Sequence, residues 1–200
     1  MISNNVLYEP LPEEWEGYKV NTWFQIGIQV FLIFDDDCLF AYEKEEVIKS
    51  LMFSDDNGEI REHPEGEEFI KCLGWFLNGW SNDNPAKRVG KKKVLDYERD
   101  QWRIYADFRQ IYGINLNEAE LHWWEFCALL WNMPAEYSSF LQVVEIRKKE
   151  ITTSMSKKER EFYKNAQTVY ALEQPEKEYT KEEETKIDEF DAMMRARKGK

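Results

Sequence analysis

Hydrophobic and polar positions along most of this chain recur with a helical period. Between residues 97 and 113, Ile104, Tyr105, Phe108, Ile111 and Tyr112 fall at i, i+1, i+4, i+7 and i+8 and form one apolar stripe. Asp96 stands where an N-cap is needed and Gly113 where a helix ends. Residues 65–77 repeat the pattern with Phe69, Leu73 and Phe76 on one face and Ile70 and Leu77 beside it. Residues 43–52 read as another helix, and the polar "SDDNGEIREHPEG" between the two is a loop by composition. Residues 135–147 carry Phe140, Val143, Val144 and Arg147 at helical spacing. "SKKE" at 156–159 is a capping box ahead of residues 160–172, where Phe162, Ala166, Val169 and Tyr170 share a face. "TKEE" at 180–183 is a second box, ahead of a terminal helix with Ile187, Phe190 and Met194 in a narrow stripe.

Three stretches depart from this regular pattern. "VLYEPLPEEWEGYKV" predicts a small β-hairpin, with residues 6–8 and 16–20 on either side of a Pro-rich turn. "TWFQIGIQVFLIF" is apolar almost all round. Ile26, Ile28, Val30 and Leu32 also fit a strand, but length and a Thr22/Gln25 capping box favour a helix, ended by Asp35–Asp37. "LHWWEFCALLW", residues 121–131, predicts a helix begun by Asn117. On that wheel Glu118, His122, Glu125 and Asn132 form the polar stripe, where His122 would pair with the two glutamates. The remaining arc is wide and apolar, as a central core helix requires.

The expected fold class is therefore mainly α: a compact helical bundle with a small N-terminal β-hairpin and a C-terminal helical arm. Residues 1–172 form the helical domain. Residues 173–200 form a charged hinge, "EQPEKEYT", and an amphipathic arm.

Composition refines this picture. Eight Trp, ten Tyr and twelve Phe can build a large core from few residues, although only 42% of the chain is hydrophobic and 33% is charged. Three cysteines and an N-terminus without basic and apolar signal regions point to a reducing compartment. The longest apolar run, residues 30–34, is far too short to span a bilayer. The net charge of −12 is uneven. Residues 1–80 hold 17 acids and 5 bases, whereas residues 81–172 hold 13 acids and 15 bases. An acidic N-terminal surface repels nucleic acid and suits basic partners.

Motifs for chemistry are sparse. His63 and His122 lie far apart and no CxxC occurs, so no zinc site is expected. Asp35–Asp37 and "DDNGE" at 55–59 lack the spacing of a calcium loop and read as solvated turns. No GxSxG, Ser/His/Asp grouping or phosphate-binding loop is present. The expectation is a non-enzyme without cofactor, and Cys127 reads as an apolar core residue. Two stretches remain as candidates for contact. Lys87, Arg88, Lys91, Lys92 and Lys93 could meet phosphate or an acidic partner, but no aromatic platform accompanies them, and a solvated loop is the favoured reading. Ile187, Phe190 and Met194 could dock on a partner helix, on another copy or on the domain itself.

"IYADFRQIYGINL", then "LHWWEFCALL", then "MSKKEREFYKNAQTVYAL" together resemble the bacteriophage gene-product-fifteen family of siphophage and prophage tail gene clusters. The resemblance is strongest over residues 95–172 and covers about residues 5–172; the basic run and the tail beyond 172 have no counterpart in it. Members are usually encoded beside the tape-measure gene. The resemblance implies a non-enzymatic tail assembly chaperone in the bacterial host cytoplasm. It would bind the tape-measure protein, help recruit tail-tube subunits and self-associate, without nucleic acid or membrane. The alternatives are a structural tail component retained in the virion, or a nucleic-acid-binding phage protein using residues 87–93. The family offers no catalytic residues.

Overall fold

The first N–H groups of a helix have no partner within the helix and must be satisfied from outside. Two helices of this chain solve the problem for each other. In the computed structural model, which describes residues 5–55, 57–80 and 93–172, the Phe24 N–H donates to the Leu121 carbonyl at 3.0 Å and the Trp123 N–H donates to the Thr22 carbonyl at 2.6 Å. Helices α1 (Phe24–Asp35) and α5 (Trp123–Trp131) start on this shared bridge between Trp23 and His122. The arrangement corrects two expectations. The N-cap of α1 is Trp23 and not Thr22, with no side-chain cap, and the Thr22 carbonyl serves the other helix. Helix α5 begins at Trp123 rather than near Asn117, and residues 116–118 form a turn.

Seven α-helices occur among the described residues: α1, α2 (Ala41–Phe53), α3 (Gly66–Asn78), α4 (Tyr97–Asp107), α5, α6 (Ser139–Lys148) and α7 (Lys157–Val169). The last turn of α4 widens into a π-helical turn, Phe108–Tyr112, and Gly113 closes it at φ +71°, where glycine carries no steric penalty. The N-terminal hairpin is smaller and shifted from the expected one. Strands β1 (Glu14–Trp15) and β2 (Tyr18–Lys19) pair antiparallel with Trp15 opposite Tyr18, and the turn is Glu16–Gly17, not the prolines. The chain is thus mainly helical, as its periodicity predicts. The expected hinge and arm at 173–200 lie outside the described residues.

Helix α5 is the centre. It packs on α1 and α3 and buries Trp123, Trp124, Phe126, Cys127 and Leu130. Phe126 is stacked between Phe24 (4.9 Å) and Phe108 (5.1 Å), so one ring joins α1, α5 and the π-helical turn. The approach of α1 to α5 depends on Gly27: a Cβ there would lie 2.1 Å from Trp123 Cε3.

A polar seam joins α4 to α6. The Asp107 carboxylate accepts from Ser138 Oγ, Ser139 N, Ser139 Oγ and Phe140 N at 2.7–3.1 Å, and so caps α6 from the neighbouring helix. This cap explains why α6 starts at Ser139 and not at 135. Phe140, Val143, Val144 and Arg147 are all buried, as their spacing predicts. Helix α7 does not follow its expected face. Phe162 and Val169 are exposed, while Tyr163, Ala166 and Tyr170 are half-buried. The Tyr170 carbonyl accepts from Arg147 Nε, which sets that rotation.

Candidate partner-binding groove

A helix that is apolar on every side must bury all of its surface or leave part of it available. Helix α1 leaves part. Val30, Phe24 and Gly27 are buried against α5, while Phe31, Leu32 and Phe34 are more than a third exposed. Helix α4 packs on α1 and presents Glu98, Gln101, Trp102 and Tyr105, spaced i, i+3, i+4 and i+7 on one face. Between the two helices runs an open groove of about 850 Å³. Ile28 and Leu32 form one wall, Trp102 and Tyr105 the other, and Phe24, Ile104, Leu116 and Phe126 the floor. Trp102 is 74% exposed, an unusual state for the largest apolar side chain.

The two ends of the groove differ. One end is neutral and polar, with Gln25 and Asn117. Tyr105 is fixed toward this end by donating its hydroxyl to Asn115 Oδ1 at 3.1 Å. The other end carries four carboxylates, from Asp35 and Asp36 at the C-terminus of α1 and from Asp96 and Glu98 at the start of α4. The carbonyl end of α1 adds to that negative field.

Asp96 is the predicted N-cap of α4 and performs that role, accepting from Glu98 N at 3.0 Å and Arg99 N at 2.9 Å. Two cations stand near this end among the described residues: Lys93 Nζ lies 2.7 Å from Asp35 and 3.1 Å from Asp96, and Lys44 Nζ donates to the Phe34 carbonyl in the last turn of α1 at 2.9 Å. Partial burial works against the Lys93 charge, but the two carboxylates prevail and hold its pKa above the usual value. Partial burial likewise opposes the Asp96 charge, and the Arg99 N–H with Lys93 overcomes it, keeping that carboxyl below the ordinary range.

Of the five basic residues singled out in the sequence, Lys93 is thus an intramolecular tie between α1 and α4. Lys87, Arg88, Lys91 and Lys92 lie outside the described residues, as do Ile187, Phe190 and Met194. Sequence reasoning missed the groove itself. The available signal was Trp102 and Tyr105 at i and i+3, with Trp102 off the buried stripe and amid charge.

His122 is not on a helical polar stripe between glutamates. It is the N-cap of α5, and its Nδ1 accepts from the Trp124 N–H at 3.0 Å. That bond puts the ring proton on Nε2, which donates to the Pro12 carbonyl at 3.0 Å. Burial lowers the His122 pKa, with the Pro12 bond and Glu13 opposing. The acidic loops are likewise engaged in turns. Asp55 Oδ1 accepts from Asn57 N and Glu59 N, and Asp36 Oδ1 accepts from Cys38 N. None of the described helices is long and apolar enough to cross a membrane.

A family model described as "Bacteriophage Gp15 protein" matches residues 7–172. No curated protein and no solved structure matches the chain.

Proposed function

The chain belongs to the bacteriophage Gp15 protein family, and from that premise we propose that it acts as a phage tail assembly chaperone, without enzymatic activity. In this reading it binds the tape-measure protein in the host cytoplasm, keeps that long helical chain soluble and helps recruit tail-tube subunits. The observation that supports a binding role is the exposed apolar groove between α1 and α4. A chain that waits to be enclosed in a tube exposes amphipathic helices, and a protein that covers them needs an apolar surface held open on a rigid scaffold. The stacked core around Phe126 supplies the scaffold, and the net charge of −12 would keep a many-copy assembly dispersed.

Co-expression with the tape-measure protein of the same phage is the test. The expected result is co-purification of the two and a larger soluble fraction of the tape-measure chain. Absence of both effects would end the chaperone reading. Mass spectrometry of purified particles separates it from a structural tail component, because a chaperone is absent from the virion and a component is present in it.

A further inference from the structure

We propose that the groove between α1 and α4 binds an amphipathic α-helix of another protein, apolar along one stripe and basic at one end. The inference deepens the partner-binding reading above and rests on it for the existence of a partner; it adds where that partner sits and what chemistry it carries.

Length is the first argument. The groove follows α1 from Gln25 to Asp36, a span of about 16 Å at 1.5 Å per residue. A docked helix places anchors at i, i+3 or i+4, and i+7, which covers about 10.5 Å. Three anchors therefore fit between Gln25 and Asp36. An extended strand would seek an open sheet edge, and no strand lines the groove.

The second argument is the surface offered. Leu32 of α1 and Trp102 of α4 line the groove as exposed apolar side chains, and the buried Ile104 and Phe126 line it beneath them. An exposed Trp beside a hydrophobic floor is the kind of anchor at which binding energy concentrates.

Charge gives the direction. Four carboxylates line one end; Lys93 pairs with Asp35 and Asp96, Lys44 is spent on the Phe34 carbonyl, and Asp36 and Glu98 have no ion-pair partner among the described residues. The opposite end offers only neutral polar groups, Gln25 and Asn117. A helix whose Lys or Arg residues cluster at one end of its stripe is attracted in one orientation and repelled in the other. The same carboxylates exclude a phosphate backbone or an acidic helix.

The test measures fluorescence anisotropy of labelled synthetic peptides with the full chain. One peptide is an 18-residue amphipathic helix of about five turns, with a Leu/Phe stripe ending in Lys and Arg. The second carries Glu in place of those bases, and the third is a scramble. The basic peptide is expected to bind best, with binding weakening as salt rises. Leu32→Glu and Trp102→Glu, both at exposed positions, are expected to weaken it about tenfold or more. Asp36→Lys with Glu98→Lys is expected to reverse the preference toward the acidic peptide. Circular dichroism melts identify any variant that loses its fold, and the charge-reversed chain then carries the test. Equal binding of all three peptides, or variants that bind as the parent does, would overturn the proposal. So would displacement of the basic peptide by a synthetic peptide of residues 179–200, which would assign the groove to this chain's own arm. A dimer dispersed by the peptide would assign it to a second copy and overturn the proposal equally. Tape-measure co-purification that survives the groove variants would remove the groove assignment and leave the chaperone reading standing.

Discussion

Arg147 meets Asp100 inside the protein as a two-pronged pair, Nη1 to Oδ2 at 2.6 Å and Nη2 to Oδ1 at 2.9 Å. Asp100 is fully buried and Arg147 is 5% exposed. Arg147 also donates to the Val94 and Tyr170 carbonyls, so one guanidinium gathers α4, α6 and the end of α7.

Breaking this pair from one side leaves a charge buried without its partner, which typically costs about 3–5 kcal/mol. Asp100→Ala and Arg147→Ala are each expected to fall in that range by urea denaturation. The double variant Asp100→Ala with Arg147→Ala is expected to be less destabilised than the two single losses combined. Strict additivity would show that the pair carries no coupling. Full recovery is not expected, because the Val94 and Tyr170 carbonyls lose their donor.

Gly27 makes a second, opposite kind of prediction. An alanine in mid-helix ordinarily gains about 1 kcal/mol over glycine. Here the added methyl would sit 2.1 Å from the Trp123 ring, and Trp123 is boxed in by Phe76 and Phe126. Gly27→Ala is therefore expected to destabilise, by about 1–3 kcal/mol as overpacking does. Trp123→Phe in the same chain should relieve part of that loss. A melting temperature unchanged or raised in Gly27→Ala would show that α1 stands farther from α5 than the structure places it.

These two relationships mark what could and could not be read from sequence. The α4 stripe, the Asp96 cap and the Ser156/Glu159 capping box were legible, because each is decided within one turn of chain. The start of α5 was not. Asn117 is a local cap candidate, but the Thr22 carbonyl, about 100 residues away, satisfies the Trp123 N–H and wins. The groove was illegible for the same reason: it exists only where α1 and α4 lie side by side, and neither helix encodes its neighbour. Lys93 shows the limit for charge. Its place in a basic run suggested an outward role, and Asp35 on the distant α1, with Asp96 three residues along, claims it.

His122 predicts a pH dependence. Its folded pKa lies below the ordinary 6.5, chiefly through burial, so the fold holds it neutral while the unfolded chain takes up a proton more readily. Stability from this site is therefore complete above about pH 6.5 and declines as pH falls from there toward the folded pKa. His122→Asn keeps a side-chain acceptor at the N-cap and removes the titration. The stability difference between parent and variant, measured by urea midpoint at pH 7.5 and 5.5, is expected to shift against the parent at the lower pH. A difference that stays constant would show that His122 titrates equally in both states.

The three thiols should divide by position. Cys38 is exposed in the turn after α1, whereas Cys72 on α3 and Cys127 on α5 are buried. Burial pushes the Cys72 thiol up to about 12, which removes the thiolate that reacts near neutral pH. An aromatic disulfide reagent is expected to modify one thiol quickly in the folded chain and all three in denaturant. Helices α3 and α5 pack on each other, and both buried thiols belong to one core cluster. Cys72 and Cys127 should then react at a common slow rate, and Gly27→Ala, which loosens α5, should speed both. Fast reaction of Cys72 alone would mean that α3 opens independently of α5 and that the core is two cooperative units rather than one.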